Sequence, residues 1–170
     1  DKNIEKLIKK LINKNQIEII YIEKKLPRVN ALNLALDYSN SKFSFRFDSR
    51  SRFEKDYAEN VLKTFNDETI NANIVGGAPK VIPQSDTFES KLCASLMSRS
   101  YVFFYPKHRR TNFNGNSSSV YLGCFETVLL KKIRYRETDS LISEDSLIVS
   151  EFLSKGYNSF LNSKIKVSYV

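Results

Sequence analysis

The sequence predicts a single α+β domain, with a mostly antiparallel sheet of about six or seven strands and about three or four helices packed mainly on one face. The chain of 170 residues is long enough to bury one core, and 41% of its residues are hydrophobic. Segments with apolar residues at every second position are interleaved with segments in which they recur every third or fourth position. No internal repeat or domain boundary is visible, so residues 1–170 are interpreted as one domain. Because the chain begins at Asp1, we expect it to be excised from a longer protein.

The first third of the chain predicts helices and strands in alternation. Residues 2–13 carry apolar residues three and four apart, which predicts a helix, and residues 16–23 are rich in isoleucine, which predicts a strand. Residues 31–38 and 42–48 alternate leucines and phenylalanines with polar residues, which is the pattern of a β-hairpin. Residues 51–65 carry apolar residues four apart and are predicted to form a helix that covers this hairpin.

A glycine pair follows the next predicted strand, at residues 70–75. Gly76 and Gly77 are interpreted as part of a turn rather than of a phosphate-binding loop. A phosphate loop needs a helix that starts immediately, so that its free amides point at the ligand. Here Pro79 and Pro83 intervene, and no Lys-Ser/Thr pair follows.

The second half of the chain predicts two more helices and three more strands. Residues 85–98 are predicted to form a helix whose buried stripe is Phe88, Leu92, Cys93 and Leu96. Residues 101–105 are predicted to form a central apolar strand, and residues 120–136 a long strand bent near Gly123. Residues 143–155 are predicted to form a capped helix, and residues 164–170 a closing strand.

The charge balance is strongly basic, with a formal net charge of +8. Such a charge favours nucleic acid or an acidic protein surface as the partner. The densest positive run lies in the polar connection before the long strand, and lysine and arginine alternate again at the end of that strand. The predicted binding residues are therefore Lys107, His108, Arg109, Arg110 and Phe113 in the connection, with Lys132, Arg134 and Arg136 on the strand.

No catalytic residue, cofactor or metal site is predicted. His108 is the only imidazole, and it stands between Lys107 and Arg109, whose charges oppose its protonation. A G-x-S-x-G nucleophile pattern is absent. Cys93 and Cys124 are the only cysteines and are interpreted as buried free thiols, although a single disulfide between them remains open.

The leading functional prediction is a non-catalytic binding module with a basic surface, within a larger intracellular assembly of the nucleus or cytoplasm. One alternative is a protein–protein scaffold or dimerisation domain without nucleic-acid contact. Another is a metal-dependent nuclease or other phosphate-handling enzyme, because Glu23 with Lys25, and Glu89 with Lys91, have the spacing of a carboxylate–lysine pair. No apolar run approaches the roughly 18–20 residues that span a bilayer.

Overall fold

The computed structural model describes Lys6, Ile20 and residues 25–98, 109–137 and 143–169. The helices within these ranges are α1 (Arg28–Tyr38), α2 (Tyr57–Phe65), α3 (Phe88–Ser98), α4 (Thr127–Ile133) and α5 (Glu144–Ser154). The strands are β1 (Phe43–Phe45), β2 (Ser51–Phe53), β3 (Ile74–Gly77), β4 (Pro79–Val81), β5 (Gly115–Asn116), β6 (Tyr121–Glu126), β7 (Ser159–Leu161) and β8 (Val167–Tyr169). None of the described helices is long and apolar enough to cross a bilayer.

The strands form two mixed sheets. The larger has the order β1-β6-β3-β7-β5, and the smaller has the order β2-β8-β4. In the larger sheet β6 runs antiparallel to β1 and to β3, whereas β3 and β7 are parallel. Strands β1, β3 and β7 therefore all point the same way. The predicted α+β class is confirmed, but the number of strands and helices differs from the prediction, and two mixed sheets replace a mostly antiparallel one.

Helices cover both faces of the larger sheet, but α1, α4 and α5 lie on one face, in keeping with the prediction that most of them do, and α2 lies on the other. The cause is the alternation of side chains along two central strands. Ile74 and Phe125 belong to a core cluster with α1, α4 and α5. Their neighbours Val75 and Cys124 belong to a second cluster with α2 and Ile165. A strand with large apolar residues on both faces needs a cover on each side.

Residues 31–38 form most of α1 and not the first strand of a hairpin. Val29, Leu32 and Leu36 all pack in the first core cluster, and their spacing of three and four residues is that of a helix face. The leucines at positions 32, 34 and 36 satisfy a period of two only by coincidence. The second predicted hairpin strand is confirmed in part, as β1.

The predicted long strand at residues 120–136 is also wrong, because β6 ends at Glu126 and α4 begins at the next residue. Thr127, Leu130 and Ile133 are buried at helical spacing, whereas Val128 is 77% exposed. A continuous strand would have placed Leu130 and Val128 on the same face. The structure turns this β-branched segment into a helix because the core lies on one side of it.

Gly76 and Gly77 lie inside the buried strand β3, so their interpretation as a turn is wrong. A Cβ atom at Gly77 would overlap the carbonyl oxygen of Ile165, and one at Gly76 would overlap the side chain of Val120. Glycine is required at both positions because other chain segments approach the backbone closely.

Other predictions are confirmed in whole or in part. Helix α5 runs from its N-cap Ser143 to its C-cap Lys155, and the following Gly156 has a φ of 82°. Residues 51–65 form β2 and then α2, and the closing strand is present as β8. Helix α3 exists, but its predicted buried stripe is exposed, with Phe88 76% exposed. The elements predicted at residues 2–13, 16–23 and 101–105 lie outside the described residues.

Candidate functional site

The carboxyl ends of β1, β3 and β7 meet at one edge of the larger sheet. Ligands of open sheets with parallel strands bind in the crevice outside such an edge. Asp48 follows β1, Ala78 follows β3 and Ser163 follows β7. Because β6 is antiparallel to its neighbours, its amino end, with Tyr121, lies at the same edge.

A cleft of about 830 Å³ opens at this edge. One wall comes from the larger sheet and includes Ala78, Tyr121 and Ser163, and the other comes from β4 and β8 of the smaller sheet. Its charged lining residues in the described chain are Glu54, Lys80, Arg109, Asp145 and Lys166. The volume lies within the range of small-molecule sites, and the lining combines cations with carboxylates.

The first turn of α5 brings the carboxylate of Asp145 to the cleft. Ser143, the N-cap residue, donates its hydroxyl to Asp145 Oδ1, and the backbone N–H of Ser146 donates to the same oxygen at 2.8 Å. The amino end of a helix carries partial positive charge, which stabilises an anion there. Asp145 makes no ion pair within the described part of the chain, so its second oxygen is not committed to a cation.

Its neighbour Glu144 is bound by two arginines. Arg46 Nη2 donates to Glu144 Oε1 at 2.9 Å, and Arg28 Nη1 donates to the same oxygen at 3.1 Å. The side chain of Glu144 is 11% exposed. Burial, the largest influence, would raise the pKa of Glu144, but its own backbone amide and the two arginines together hold that pKa below its usual value. Glu144 is therefore a fixed anion inside the fold.

Arg46 also binds Asp48, which lies in the loop after β1. The guanidinium meets the carboxylate with two parallel contacts, Nε to Oδ1 at 3.2 Å and Nη2 to Oδ2 at 3.3 Å. Burial works to lower the pKa of Arg46, but Asp48 and Glu144 more than offset it, so this pKa is raised. The Arg46 side chain is 9% exposed, and within the described residues its Nη1 has no acceptor.

Tyr121 lines the cleft, and the charges of Asp48 and Asp145 act on its pKa. Its hydroxyl shares a hydrogen bond of 2.8 Å with the hydroxyl of Ser51, and its ring meets that of Tyr169 edge to face. Burial raises the pKa of Tyr121, the bond to Ser51 lowers it, and the charges of Asp48 and Asp145 raise it further. Both carboxylates are therefore close enough to act on this phenol.

Tyr135 is buried, and its pKa responds to the same charged residues. Its pKa is raised to about 12, first by burial, with Arg46 opposing the rise and Glu144, Asp145 and Asp48 adding to it. The charges of the same four side chains thus all act on the pKa of one buried phenol. We call Arg46, Asp48, Glu144 and Asp145 the charge cluster.

The predicted loop residues fall in different places. Lys107 and His108 lie outside the described residues. Arg109 lines the cleft, Arg110 is exposed, and Phe113 packs against the first core cluster. Only Arg109 among the described members of the predicted set belongs to the cleft.

The basic strand end does not exist as predicted, because the chain is helical there. Lys132 is exposed on α4, and the two arginines follow that helix. Arg134 forms an ion pair with Asp37 at 2.6 Å, and Arg136 forms one with Glu151 at 3.5 Å. These arginines have partners within the fold, and the alternating basic face is absent.

Sequence reasoning missed the charge cluster as a site. It placed Asp48 at the end of a predicted strand, and Glu144 and Asp145 at the start of a predicted helix. Two features of the sequence point to the cluster in hindsight. An arginine and an aspartate, two residues apart, directly follow a phenylalanine-rich strand, and two adjacent acids open a helix. Acids at the ends of elements are often functional because loops carry sites.

The described residues hold no group of three or more His, Cys, Asp or Glu side chains that could bind a metal ion. Glu89, which belongs to the predicted nuclease alternative, is exposed, and Lys91 pairs with Asp86 at 2.6 Å. Glu23 lies outside the described part of the chain. In the described part of the chain, the carboxylates of this alternative therefore do not converge on one metal site.

No protein-family model matches the sequence, and no curated protein matches it. Solved structures do. The chain is similar to S. aureus TarS 1–349, with a TM-score of 0.64 and 15% sequence identity over 100% of this chain and 48% of that one. It is also similar to S. aureus TarS 1–349 in complex with UDP-GlcNAc, with a TM-score of 0.63 and 15% identity over 99% of this chain and 46% of that one. The chain therefore spans less than half of the length of these neighbours.

The comparison shows the fold, and it overturns the leading functional prediction. The chain shares its fold with TarS, which is solved in complex with UDP-GlcNAc, and this similarity contradicts the prediction of a non-catalytic binding module. The prediction arose because the net charge of +8 was interpreted as a surface for a macromolecule. In the structure Lys80, Arg109 and Lys166 line a cleft instead.

Proposed function

We propose that this chain is part of a glycosyltransferase that binds a nucleotide-sugar donor in the cleft between the two sheets. The observation that carries the proposal is the carboxylate of Asp145, which lies in the cleft at the carboxyl edge of the parallel strands. The shared fold with TarS, whose structure is in complex with UDP-GlcNAc, supports this class of ligand.

The cations of the cleft suit a diphosphate. Lys80 lies on β4, Lys166 immediately precedes β8, and Arg109 completes the group of described cations in the lining. Lysine and arginine bind phosphate oxygens through charge-assisted hydrogen bonds. In the proposed complex these three side chains hold the diphosphate of the donor, and they neutralise the charge that develops on it when the sugar leaves.

Asp145 acts as the general base in this proposal. The hydroxyl of the acceptor attacks the anomeric carbon of the donor sugar, and its proton passes to a carboxylate oxygen of Asp145. A bond forms between the acceptor oxygen and the anomeric carbon. The bond from that carbon to the diphosphate oxygen breaks, and its electron pair leaves with the nucleoside diphosphate. The hydrogen bonds from Ser143 and Ser146 hold the carboxylate during this transfer.

The test uses UDP-GlcNAc as the donor and water as the acceptor, in the full-length protein. Calorimetry measures the Kd of UDP-GlcNAc and of UDP, and a coupled assay measures UDP release. We expect both ligands to bind. We expect Asp145→Asn to lower the rate of UDP release by about 100-fold or more while the Kd of UDP-GlcNAc stays within about threefold.

The matched control is Asp37→Asn, which removes a carboxylate from an exposed ion pair with Arg134 that does not line the cleft. This variant should behave as the wild type in both measurements. The proposal fails if the wild-type protein neither binds UDP-GlcNAc nor releases UDP. It also fails if Asp145→Asn releases UDP at the wild-type rate.

A further inference from the structure

Arg46 joins two segments that are distant in the chain. It follows β1, whereas Glu144 opens α5, and their side chains meet at 2.9 Å across a separation of 98 residues. The same guanidinium holds Asp48 with two contacts of 3.2 and 3.3 Å. Because the Arg46 side chain is 9% exposed, water screens these contacts little, and the planar fork fixes their directions.

The two adjacent acids of α5 have different partners. Glu144 accepts hydrogen bonds from Arg46 and Arg28, whereas Asp145 accepts them from a hydroxyl and a backbone amide. Successive residues of an α-helix project about 100° apart around its axis. Fixing Glu144 against Arg46 therefore also fixes the rotation of the first turn, and with it the direction in which Asp145 projects.

We infer that Arg46 is a positioning residue for the reaction, which acts through Glu144 to hold Asp145 towards the cleft. This inference rests on the proposed function, because it takes Asp145 as the base. Arg46 itself does not touch the substrate. Glu144 has the matching part, since its carboxylate accepts the hydrogen bond from Arg46 and it precedes Asp145 directly in the first turn of α5.

The inference predicts an effect on turnover and not on donor binding. Arg46→Gln should lower the kcat of UDP release from UDP-GlcNAc by about 10- to 100-fold, because small displacements of a reacting group are costly, while the Kd of UDP-GlcNAc stays within about threefold. Glu144→Gln should have a similar effect. The double variant should be no slower than the slower single variant, because both changes break one connection.

Two further variants separate positioning from a general loss of stability. Arg46→Lys keeps the positive charge but not the planar fork, so it should regain thermal stability relative to Arg46→Gln without regaining kcat. Arg28→Gln removes the other partner of Glu144, at a side chain that is 69% exposed, and should leave kcat near the wild-type value. If Arg46→Gln does not fold, Arg46→Lys and Glu144→Gln provide the same comparison.

Hydrogen exchange tests the connection without any activity. The amide of Leu147, which donates to Ser143 O at 3.0 Å, and the amide of Ile148 should exchange faster in Arg46→Gln than in the wild type or in Arg28→Gln. If the wild-type protein releases no UDP, the proposed function is wrong. The exchange rates would then still show whether Arg46 holds the first turn of α5 in place. The inference is wrong if Arg46→Gln keeps both the kcat and the exchange rates of the wild type. It is also wrong if Arg46→Lys has the kcat of the wild type.

Discussion

The hydroxyl groups of Tyr121 and Ser51 lie 2.8 Å apart and join the two sheets beside the cleft. Tyr121 begins β6 of the larger sheet, and Ser51 begins β2 of the smaller one. The edge-to-face contact between Tyr121 and Tyr169 of β8 reinforces this junction. Tyr121, Ser51 and Tyr169 thus hold the two walls of the cleft together. Removing the Tyr121–Ser51 hydrogen bond tests how much it contributes to the stability of the fold.

We expect Tyr121→Phe and Ser51→Ala each to lower the free energy of unfolding by about 0.5–1.5 kcal/mol, the usual net contribution of one hydrogen bond. The double variant should lose less than the sum of the two, because each single variant already removes the shared bond. Urea denaturation of the four proteins measures this. Additive losses would mean that the two hydroxyls do not interact.

The cations of the cleft should control affinity for the diphosphate. Lys80→Gln should weaken binding of UDP by about 3- to 10-fold, because a charge-assisted hydrogen bond at an exposed side chain is lost. The affinity of the wild type should also fall as salt is added. Lys55→Gln removes an exposed lysine that does not line the cleft and serves as the control. Equal Kd values for both variants, measured by calorimetry, would remove Lys80 from the site.

The pKa of Glu144 predicts how stability changes with pH. Its pKa in the folded state lies below the ordinary value of 4.5, so the ionised form stabilises the fold at pH values above 4.5. This contribution is lost as the pH falls through the lowered pKa. Glu144→Gln should therefore show a smaller fall in urea midpoint than the wild type between about pH 6 and pH 3.

Glu59→Gln provides the comparison for that measurement. Glu59 pairs with Lys63 on the surface of α2, where both side chains are more than half exposed, and such pairs contribute little to stability. This variant should follow the pH dependence of the wild type. A Glu144→Gln protein with the same pH dependence as the wild type would contradict the assigned shift.

The two cysteines should react very differently. Both are free thiols, but Cys93 is exposed on α3 and Cys124 is buried in β6, so the expectation that both are buried holds only for Cys124. Burial raises the pKa of the Cys124 thiol, which further suppresses the reactive thiolate. A thiol reagent should label one cysteine rapidly in the native protein and the second only after denaturant is added. Cys93→Ser should abolish the fast phase, and a persistent fast phase would show that Cys124 is accessible.

Local sequence information predicted elements in which every feature agreed. In α5, the N-cap Ser143, the acidic first turn and Gly156 after the last turn all indicate the same helix, and the structure confirms it. In α1 the leucines at positions 32, 34 and 36 fit a strand and Val29, Leu32 and Leu36 fit a helix, so only the tertiary core decides. The prediction of the α+β class is correct despite such errors, because it depends on the pattern of many segments and not on any one of them.

The candidate site could not be predicted in the same way. Arg46 and Glu144 are 98 residues apart, and no local pattern indicates that they meet. Their contact depends on the order of the larger sheet and on the packing of α5 against it. The basic composition was visible at once, but composition does not tell whether Lys80 and Lys166 face open solvent or the wall of a cleft.

Gly77 of β3 also helps to determine the shape of the cleft. Because Gly77 has no side chain, the backbone of Ile165 rests directly against β3, and the segment that leads into β8 follows it. Any side chain at position 77 would act as a wedge and push that segment outward, together with Lys166. The position of Lys166 in the cleft wall is therefore set by the absence of one methyl group on the neighbouring strand.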